Sequence, residues 1–180
     1  MKLGPEGLLQ GARYVASPNC DERPPGCEIT LLVVHSISLP PGEYGGDAIE
    51  RLFTNRLDPG AHPYFREVAP LKLSAHFLVR RDGEVVQFVP VQLRAWHAGA
   101  SSWRGRSACN DFSIGVELEG TEETAFEPVQ YNQLATLVRT LRTALPLRDL
   151  AAHSDVAAGR KADPGTHFDW ARLLSDLAHA

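Results

Sequence analysis

The stretch Ile29-Thr30-Leu31-Leu32-Val33-Val34 runs directly into His35. A continuous apolar run of this length is typical of a β-strand that is buried on both faces, as in sheets that carry helices on each side. A side chain at the end of such a strand can leave the sheet at a rigid edge. The stretch therefore predicts a buried strand of a central sheet, with His35 at its end.

The segments downstream predict further strands. Residues 74–79 and 84–89 are short β-rich runs on either side of Asp82-Gly83, a pair that favours a hairpin turn. Residues 112–119 alternate between apolar side chains and small or acidic ones, which predicts a strand with two different faces. Residues 147–152 form another short apolar run, which leads to His153.

Helices are predicted between and after these strands. Residues 127–145 carry apolar side chains at the spacing of an amphipathic helix, and Pro128 lies in the first turn, where proline is tolerated. Asp47 is expected to cap a shorter helix. Thr166-His167-Phe168-Asp169 resembles a capping box that opens a last helix. Residues 57–71 are rich in proline and predict a long loop.

The order of these elements is strand, helix, hairpin, strand, helix, strand, helix. It predicts the α/β class (α+β mixed), as a single domain with a central mixed β-sheet flanked by helices. Residues 1–28 are rich in glycine and proline and are expected to wrap the surface of a domain formed by residues 29–180. The two parts are expected to form one compact unit.

The composition excludes several classes of protein. The chain has 180 residues, of which 43% are hydrophobic and 22% charged, and its formal net charge is −4. These values predict a soluble globular domain without a nucleic-acid partner. No apolar stretch approaches the roughly 20 residues of a membrane span, and the N-terminus does not resemble a signal peptide. We therefore expect a cytoplasmic monomer with no membrane partner.

The cysteines fit a reducing compartment. An odd number of cysteines without a repeated spacing argues against a disulfide framework. The first two are too far apart for the close pairs of a thiolate zinc site. Free thiols are therefore predicted for Cys20, Cys27 and Cys109.

Three side chains form a candidate set of metal ligands: His35, His153 and Asp163. Catalytic zinc takes three ligands from His, Asp, Glu or Cys and keeps a fourth position open for water. Taken alone, a histidine at a strand end is more often a surface or core residue than a ligand. His76 and His97 are alternatives. We expect His97 to line a groove near the substrate, and His76 to be a structural residue or to orient a ligand.

Five motifs occur in a fixed order: Val33-Val34-His35-Ser36, Trp96-His97-Ala98-Gly99, Asn110-Asp111-Phe112-Ser113-Ile114-Gly115-Val116-Glu117, His153-Ser154-Asp155-Val156 and Arg160-Lys161-Ala162-Asp163-Pro164-Gly165. Together they resemble the zinc-dependent N-acetylmuramoyl-L-alanine amidase family, which includes the peptidoglycan recognition proteins. The resemblance is strongest to its cytoplasmic branch that acts on anhydro-muropeptides, and it covers nearly the whole chain. It implies the amidase fold, with zinc in a groove on one face.

The resemblance implies roles for five residues: zinc ligands His35, His153 and Asp163, acid/base residue Glu117 and transition-state stabiliser Lys161. In several relatives a cysteine stands at the position of Asp163. The acid/base assignment depends on the resemblance, because Glu117 and Glu119 lie on the same face of the predicted strand. Without it, a solvated strand carboxylate is the better interpretation of either residue.

The implied substrate is a 1,6-anhydro-N-acetylmuramyl peptide, which is cleaved at the lactyl–L-alanine amide bond during cell-wall recycling. The residues expected to contact it are Ser36, Lys72, Trp96, His97 and Arg106. The sequence departs from the branch at three of its expected peptide contacts: Ser36 replaces an asparagine, and Lys72 and Ala108 replace arginines. These departures bear on how the stem peptide is held, and Arg104 or Arg106 can compensate for them.

Other functions remain open at this point. A non-catalytic peptidoglycan recognition domain would bind the same ligand, although such domains typically lack a zinc ligand. A secreted lytic amidase would share the chemistry but act on the intact wall. A zinc protease is disfavoured because the sequence has no His-Glu-x-x-His motif.

Overall fold

The computed structural model describes residues 1–179. Within them the strands are β1 (Lys2–Leu3), β2 (Leu9–Gln10), β3 (Arg13–Tyr14), β4 (Cys20–Asp21), β5 (Leu31–Ile37), β6 (Phe77–Val79), β7 (Val85–Gln87), β8 (Arg94–Ala95), β9 (Ser102–Trp103), β10 (Arg106–Ser107), β11 (Ser113–Glu119) and β12 (Asp149–Ala152). The helices are α1 (Ala48–Phe53), α2 (Phe65–Val68), α3 (Pro128–Ala144), α4 (His153–Val156) and α5 (Trp170–Ala178), with a 3-10 helix over Cys109–Phe112. None of the helices in this part of the chain has the length and apolar character that crossing a membrane requires.

The central sheet has six strands in the order β12-β5-β11-β6-β7-β3. The first four run parallel to one another, and β7 pairs antiparallel with β6. The reversal occurs at the Asp82-Gly83 turn, where Gly83 has a positive φ of 89° that side chains rarely adopt. The predicted mixed sheet and its hairpin are therefore confirmed.

Strand β5 is buried on both faces, as its sequence predicts. On one face, Leu32 and Val34 of β5 join the core that contains the apolar sides of α3 and α5. On the other face, Leu31 and Val33 pack with Ala98 and other residues of the loops that precede β11. Because helices cover one face and loops with short helices cover the other, the sheet lies inside the molecule.

Several element boundaries differ from the sequence predictions. Strand β5 continues through Ile37, so His35 lies within it and not at its end. The segment predicted as a loop over residues 57–71 contains α2. The last helix begins after Asp169, whose side chain accepts the backbone N–H of Arg172, and not at a capping box from Thr166. The later start leaves Phe168 outside the helix, where it is buried in the core.

The N-terminal segment reaches the sheet through several contacts. Strand β3 pairs with β7 at the sheet edge, and Leu9 packs into the core under α3. The guanidinium of Arg23 donates to the backbone carbonyls of Asn110, Asp111 and Ser113 at 2.8–3.0 Å. It thereby holds the chain that enters β11. The cysteines are free thiols, as predicted.

A network of ion pairs, which we call the rim network, links Arg13, Glu50, Arg80 and Glu119. Arg80 donates to Glu119 at 3.2 Å and to Glu50 at 2.7 Å. Glu119 also accepts the backbone N–H of Gly45 at 2.7 Å. Arg13 donates to the same Glu50 at 2.6 Å. The network joins α1, the hairpin, β11 and the glycine loop before α1.

We expect Glu50→Gln to weaken the fold in a pH-dependent way. Hydrogen bonds from Arg13 lower the pKa of Glu50 from 4.5 to about 2, with help from Arg80 and against the effect of burial. The ionised carboxylate therefore stabilises the fold above pH 4.5, and this contribution is lost as the pH falls towards 2. The expected loss at pH 7 is about 1–3 kcal/mol in the free energy of unfolding.

Urea denaturation of both proteins at pH values between 2 and 7 measures this effect. The exposed Glu67→Gln variant is the control. A difference between wild type and Glu50→Gln that stays constant across this pH range would contradict the role of the ionised carboxylate.

Candidate metal centre

Strand register places the candidate ligands side by side. Glu117 of β11 lies opposite His35 of β5 in the parallel pairing. Ala152 of β12 lies opposite Val34, so His153, the next residue, reaches the level of His35 on the other side. Adjacent residues at one level of a parallel sheet project to the same face. The three side chains therefore form a row at the carboxyl ends of the strands, where α/β proteins bind ligands.

The side chains of His35, His153 and Asp163 converge on one point. The two Nδ1 atoms of the histidines are 2.9 Å apart. Asp163 Oδ2 lies 2.9 Å from His153 Nδ1 and 3.3 Å from His35 Nδ1. One ligand atom from each residue fits within a 4.8 Å span, and all three residues are buried. Two imidazole nitrogens and a carboxylate oxygen in this arrangement can hold a divalent metal ion.

Electrostatics favour the protonation states that bind metals. Burial lowers the pKa of His35 from 6.5 to about 4, so its imidazole is neutral at pH 7. Burial alone would raise the pKa of Asp163, but hydrogen bonds with His153 and His35 bring it below its usual value. A neutral imidazole and an ionised carboxylate are the forms that coordinate a metal.

Glu117 lies beside this point without a partner for one of its oxygens. Its Oε1 is 4.0 Å from His35 Nδ1, and its Oε2 is buried with no hydrogen-bond partner within residues 1–179. Burial raises the pKa of Glu117 well above its usual value, and the nearby Asp163 carboxylate raises it further, against the Lys161 ammonium. Glu119 differs, because Arg80 and Gly45 already occupy it.

The solvated-carboxylate interpretation of both glutamates is wrong. Glu117 is 8% exposed and Glu119 is 2% exposed. Alternation along β11 could not separate them, because they share a face. Their different surroundings do, since Glu119 stabilises the rim network and only Glu117 faces the candidate ligands.

The candidate ligands lie on the floor of a cavity of about 710 Å³. One wall is apolar and comes from α1, α2 and the segments around them: Leu39, Leu52, Tyr64, Val68, Leu71 and Leu73. Residues 120–124 form another part of the lining. Of the predicted site residues, Ser36, Trp96, His97, Glu117 and Lys161 also line this cavity. Its volume is within the range of small-molecule sites.

Comparison with known proteins identifies the family. The profile described as N-acetylmuramoyl-L-alanine amidase matches residues 25–166. The chain belongs to the N-acetylmuramoyl-L-alanine amidase family. The matched region of this amidase contains all three candidate ligands and Glu117.

Individual relatives are similar over almost the whole amidase. It is 56% identical to 1,6-anhydro-N-acetylmuramyl-L-alanine amidase AmpD of Escherichia coli K12 over 170 residues, or 93% of each chain. A crystal structure of a selenomethionine derivative of AmpD superposes with a TM-score of 0.95, at 52% identity over 98% of this chain and 99% of that one.

A more distant amidase structure contains a ligand. AmiD from E. coli, in complex with the substrate anhydro-N-acetylmuramic acid-L-Ala-D-γ-Glu-L-Lys, superposes with a TM-score of 0.61 at 29% identity. The match covers 94% of this chain and 60% of AmiD.

Two predicted substrate contacts lie apart from the cavity lining described for residues 1–179. Lys72 is between the lining residues Leu71 and Leu73 but does not itself line the cavity. Arg106 lies over the ring of Phe112, 3.8 Å from its centroid, and reaches Thr30 at 3.3 Å. The assignment of Lys72 and Arg106 to the substrate therefore stays a prediction of the sequence.

The two alternative histidines have different surroundings. His76 accepts the backbone N–H of Gly115 at 3.0 Å and lies 3.1 Å from the carbonyl oxygen of Leu93. Its ring therefore contacts the backbone of β11 and of the segment before β8. His97 lines the cavity and also contacts His35 at 2.9 Å. Of the two, His97 is therefore the histidine that contacts a candidate ligand.

The sequence analysis did not predict two features of the site: the apolar wall of the cavity, and the hydrogen bonds by which Asn110 holds the segment before β9. Tyr64 and Val68 fall in the segment predicted as a loop. Helix α2 has only four residues, which is too short for a periodic pattern to predict it. Asn110 accepts hydrogen bonds from the backbone N–H groups of His97 and Ala98. The one sequence feature that pointed to Asn110 is its place in the motif over residues 110–117.

We expect the Asp163→Ala variant to lose metal binding and the Asp163→Cys variant to keep it. A thiolate is a zinc ligand of the same charge as the carboxylate, whereas alanine leaves only two ligands. Elemental analysis after dialysis against zinc measures the outcome: about one zinc per chain for wild type and Asp163→Cys, and less than a tenth of that for Asp163→Ala. The exposed His179→Ala variant is the control. Equal zinc content in all four proteins would rule out this centre.

Proposed function

We propose that this amidase is a zinc enzyme of cell-wall recycling that hydrolyses the lactyl–L-alanine amide bond of 1,6-anhydro-N-acetylmuramyl peptides. The observation that carries the proposal is the convergence of His35, His153 and Asp163 on the cavity, beside Glu117, whose Oε2 has no hydrogen-bond partner among residues 1–179. The substrate follows from the AmpD relatives, which are similar over nearly their full length.

The donor set suits zinc. Two imidazoles and one carboxylate are a known catalytic combination that leaves a coordination position open. The chemistry that bound zinc supplies is polarisation of the amide carbonyl and a lower pKa for water. The Nδ1 atoms of His35 and His153 lie 2.9 Å apart, and among residues 1–179 the partner that they share is the Asp163 carboxylate. This close approach also fits a site built for a cation.

We propose Glu117 as the general acid/base. An amide has a poor leaving group, so the proton taken from water must be given to the departing nitrogen of L-alanine. A carboxylate can do both when its pKa lies near the working pH. Burial raises the pKa of Glu117, while a divalent cation at the ligand cluster would lower it again. Its Oε2 atom, which no group of residues 1–179 hydrogen-bonds, can take this proton.

We propose Lys161 as the stabiliser of the negative charge that develops on the carbonyl oxygen. Its side chain lines the cavity, two residues before the ligand Asp163. The backbone N–H of Lys161 donates to Ala157 at 3.1 Å, which fixes the start of its side chain. A positioned cation of this kind is worth about 3–4 kcal/mol in the transition state.

The cavity offers surfaces for both halves of the substrate. The ring of Trp96 lines it, while the indole N–H is held by Asp21 at 3.1 Å. We propose that Trp96, Ser36 and residues 120–124 contact the sugar and the stem peptide. We also propose that the enzyme acts as a cytoplasmic monomer, with neither nucleic acid nor membrane as partner. Its formal charge of −4 supports the first of these exclusions.

The central experiment is mass spectrometry of an anhydro-muropeptide incubated with the purified protein. We expect the anhydro sugar and the free stem peptide as products, loss of turnover with a chelator and recovery with added zinc. Intact sacculi in a parallel reaction test the secreted lytic alternative. Cleavage at another bond, cleavage that survives the chelator, or faster action on sacculi would refute the proposal. Binding without cleavage would instead support a recognition domain.

Replacement of Glu117 separates catalysis from metal binding. We expect Glu117→Gln and Glu117→Ala to lower kcat at least about 10²-fold, because proton transfer is lost, while zinc content stays at the wild-type value. Turnover assays and elemental analysis on the same samples test this, with Glu67→Gln as a carboxylate control. Normal turnover in Glu117→Gln would assign the acid/base role to another group.

A further inference from the structure

The segment from Trp96 to Gly99 contacts the outer nitrogens of both histidine ligands. His153 Nε2 lies 3.3 Å from the carbonyl oxygen of Ala98. His35 Nε2 lies 2.9 Å from Nδ1 of His97. Both contacts are aimed at the ring nitrogen that points away from the convergence point.

The contact with Ala98 fixes the tautomer of His153. A carbonyl oxygen only accepts hydrogen bonds, so this contact needs a proton on His153 Nε2, beside the Arg160 guanidinium that donates to the same oxygen. With a metal ion in the site, the Nδ1 lone pair of His153 would be directed at the point shared with His35 and Asp163. A metal-binding histidine typically donates its other N–H in this way.

The contact with His97 does the same for His35 when a metal occupies the site. With His35 Nδ1 on the metal, the ring proton lies on Nε2 and is donated to His97 Nδ1. The remaining ring proton of His97 is then on Nε2, which lies 3.1 Å from the hydroxyl oxygen of Ser113. The chain of hydrogen bonds thus runs from the ligand His35 through His97 to Ser113 on β11.

The place of His97 is built into its neighbours. A Cβ atom at Gly115 would lie 2.4 Å from Cγ of His97, so only glycine at this position of β11 leaves room for the ring. The Asn110 side-chain oxygen accepts the backbone N–H groups of His97 at 3.2 Å and of Ala98 at 2.8 Å. One amide therefore holds both contacts to the ligands in register.

We infer that His97 is a positioning residue of the metal centre, which orients His35 to bind zinc through Nδ1. The inference rests on the zinc centre of the proposed function and adds a second role to His97, which is expected to contact the substrate. It also assigns Gly115 and Asn110 as supports, since one gives the ring its space and the other fixes its backbone.

The experiment compares three variants of the full chain. His97→Leu removes the acceptor, whereas His97→Asn keeps an acceptor oxygen close to the position of Nδ1. Gly115→Ala leaves His97 in the sequence but displaces its ring. Zinc affinity is measured by competition with a chromophoric chelator, and ligand geometry by the visible absorption spectrum of the cobalt(II)-substituted protein. The His62→Leu variant is the control for loss of a histidine outside this chain of hydrogen bonds.

We expect His97→Leu and Gly115→Ala each to weaken zinc binding about 10–100-fold and to change the cobalt spectrum. His97→Asn is expected to retain most of the affinity and the wild-type spectrum. A fourth protein, which combines His97→Leu with Gly115→Ala, should bind zinc no more weakly than either single variant, because the two substitutions remove the same contact.

Wild-type affinity and spectrum in His97→Leu would overturn the inference, as would equal losses in His97→Leu and His97→Asn, which would indicate packing alone. Wild-type protein that binds no zinc would overturn the metal centre itself, so the two failures are distinguishable. If His97→Leu does not fold, the comparison of His97→Asn with Gly115→Ala decides between the same outcomes.

Discussion

The parallel pairing of β12, β5 and β11 is the constraint on which the rest of the site depends. In a parallel sheet, register decides which side chains share a level and a face. Here it aligns Glu117 with His35 and brings His153 to the same level. A slip of one residue in either pairing would turn one member of this row to the opposite, helix-covered face. The alternating pattern of β11 opposes this, because a slip would bring Glu117 to the core face in place of Val116 and Leu118.

The same burial that fixes the register makes the site costly without a cation. Two imidazoles and two carboxylates lie together out of water, and removal of charged groups from water is unfavourable unless they are paired. Burial lowers the pKa of His35 and raises that of Glu117, so each is driven towards its neutral form. A divalent ion would offset this penalty. The local conflict between burial and polarity therefore marks function, as such conflicts often do in natural proteins.

Much of the fold could be predicted from periodicity. The buried run before His35, the hairpin at Asp82-Gly83 and the long helix α3 all follow from local patterns, and the structure confirms them. Boundaries were less accessible, since α2 is a single turn and Phe168 is held by tertiary packing, which local signals do not report. The metal ligands lie far apart in the chain, so spacing alone could nominate them but could not bring them together. The resemblance to the amidase family, which the ordered motifs carry, supplied that step. The environments that separate Glu117 from Glu119, and His97 from His76, depend on neighbours distant in sequence and required coordinates.

The most direct measurement is anomalous diffraction at the zinc absorption edge, from crystals of the wild-type protein grown with zinc. The account predicts one strong peak at about 2.0–2.2 Å from Nδ1 of His35, Nδ1 of His153 and a carboxylate oxygen of Asp163. A peak bound elsewhere would contradict it, and so would these three side chains lying apart with no ion between them.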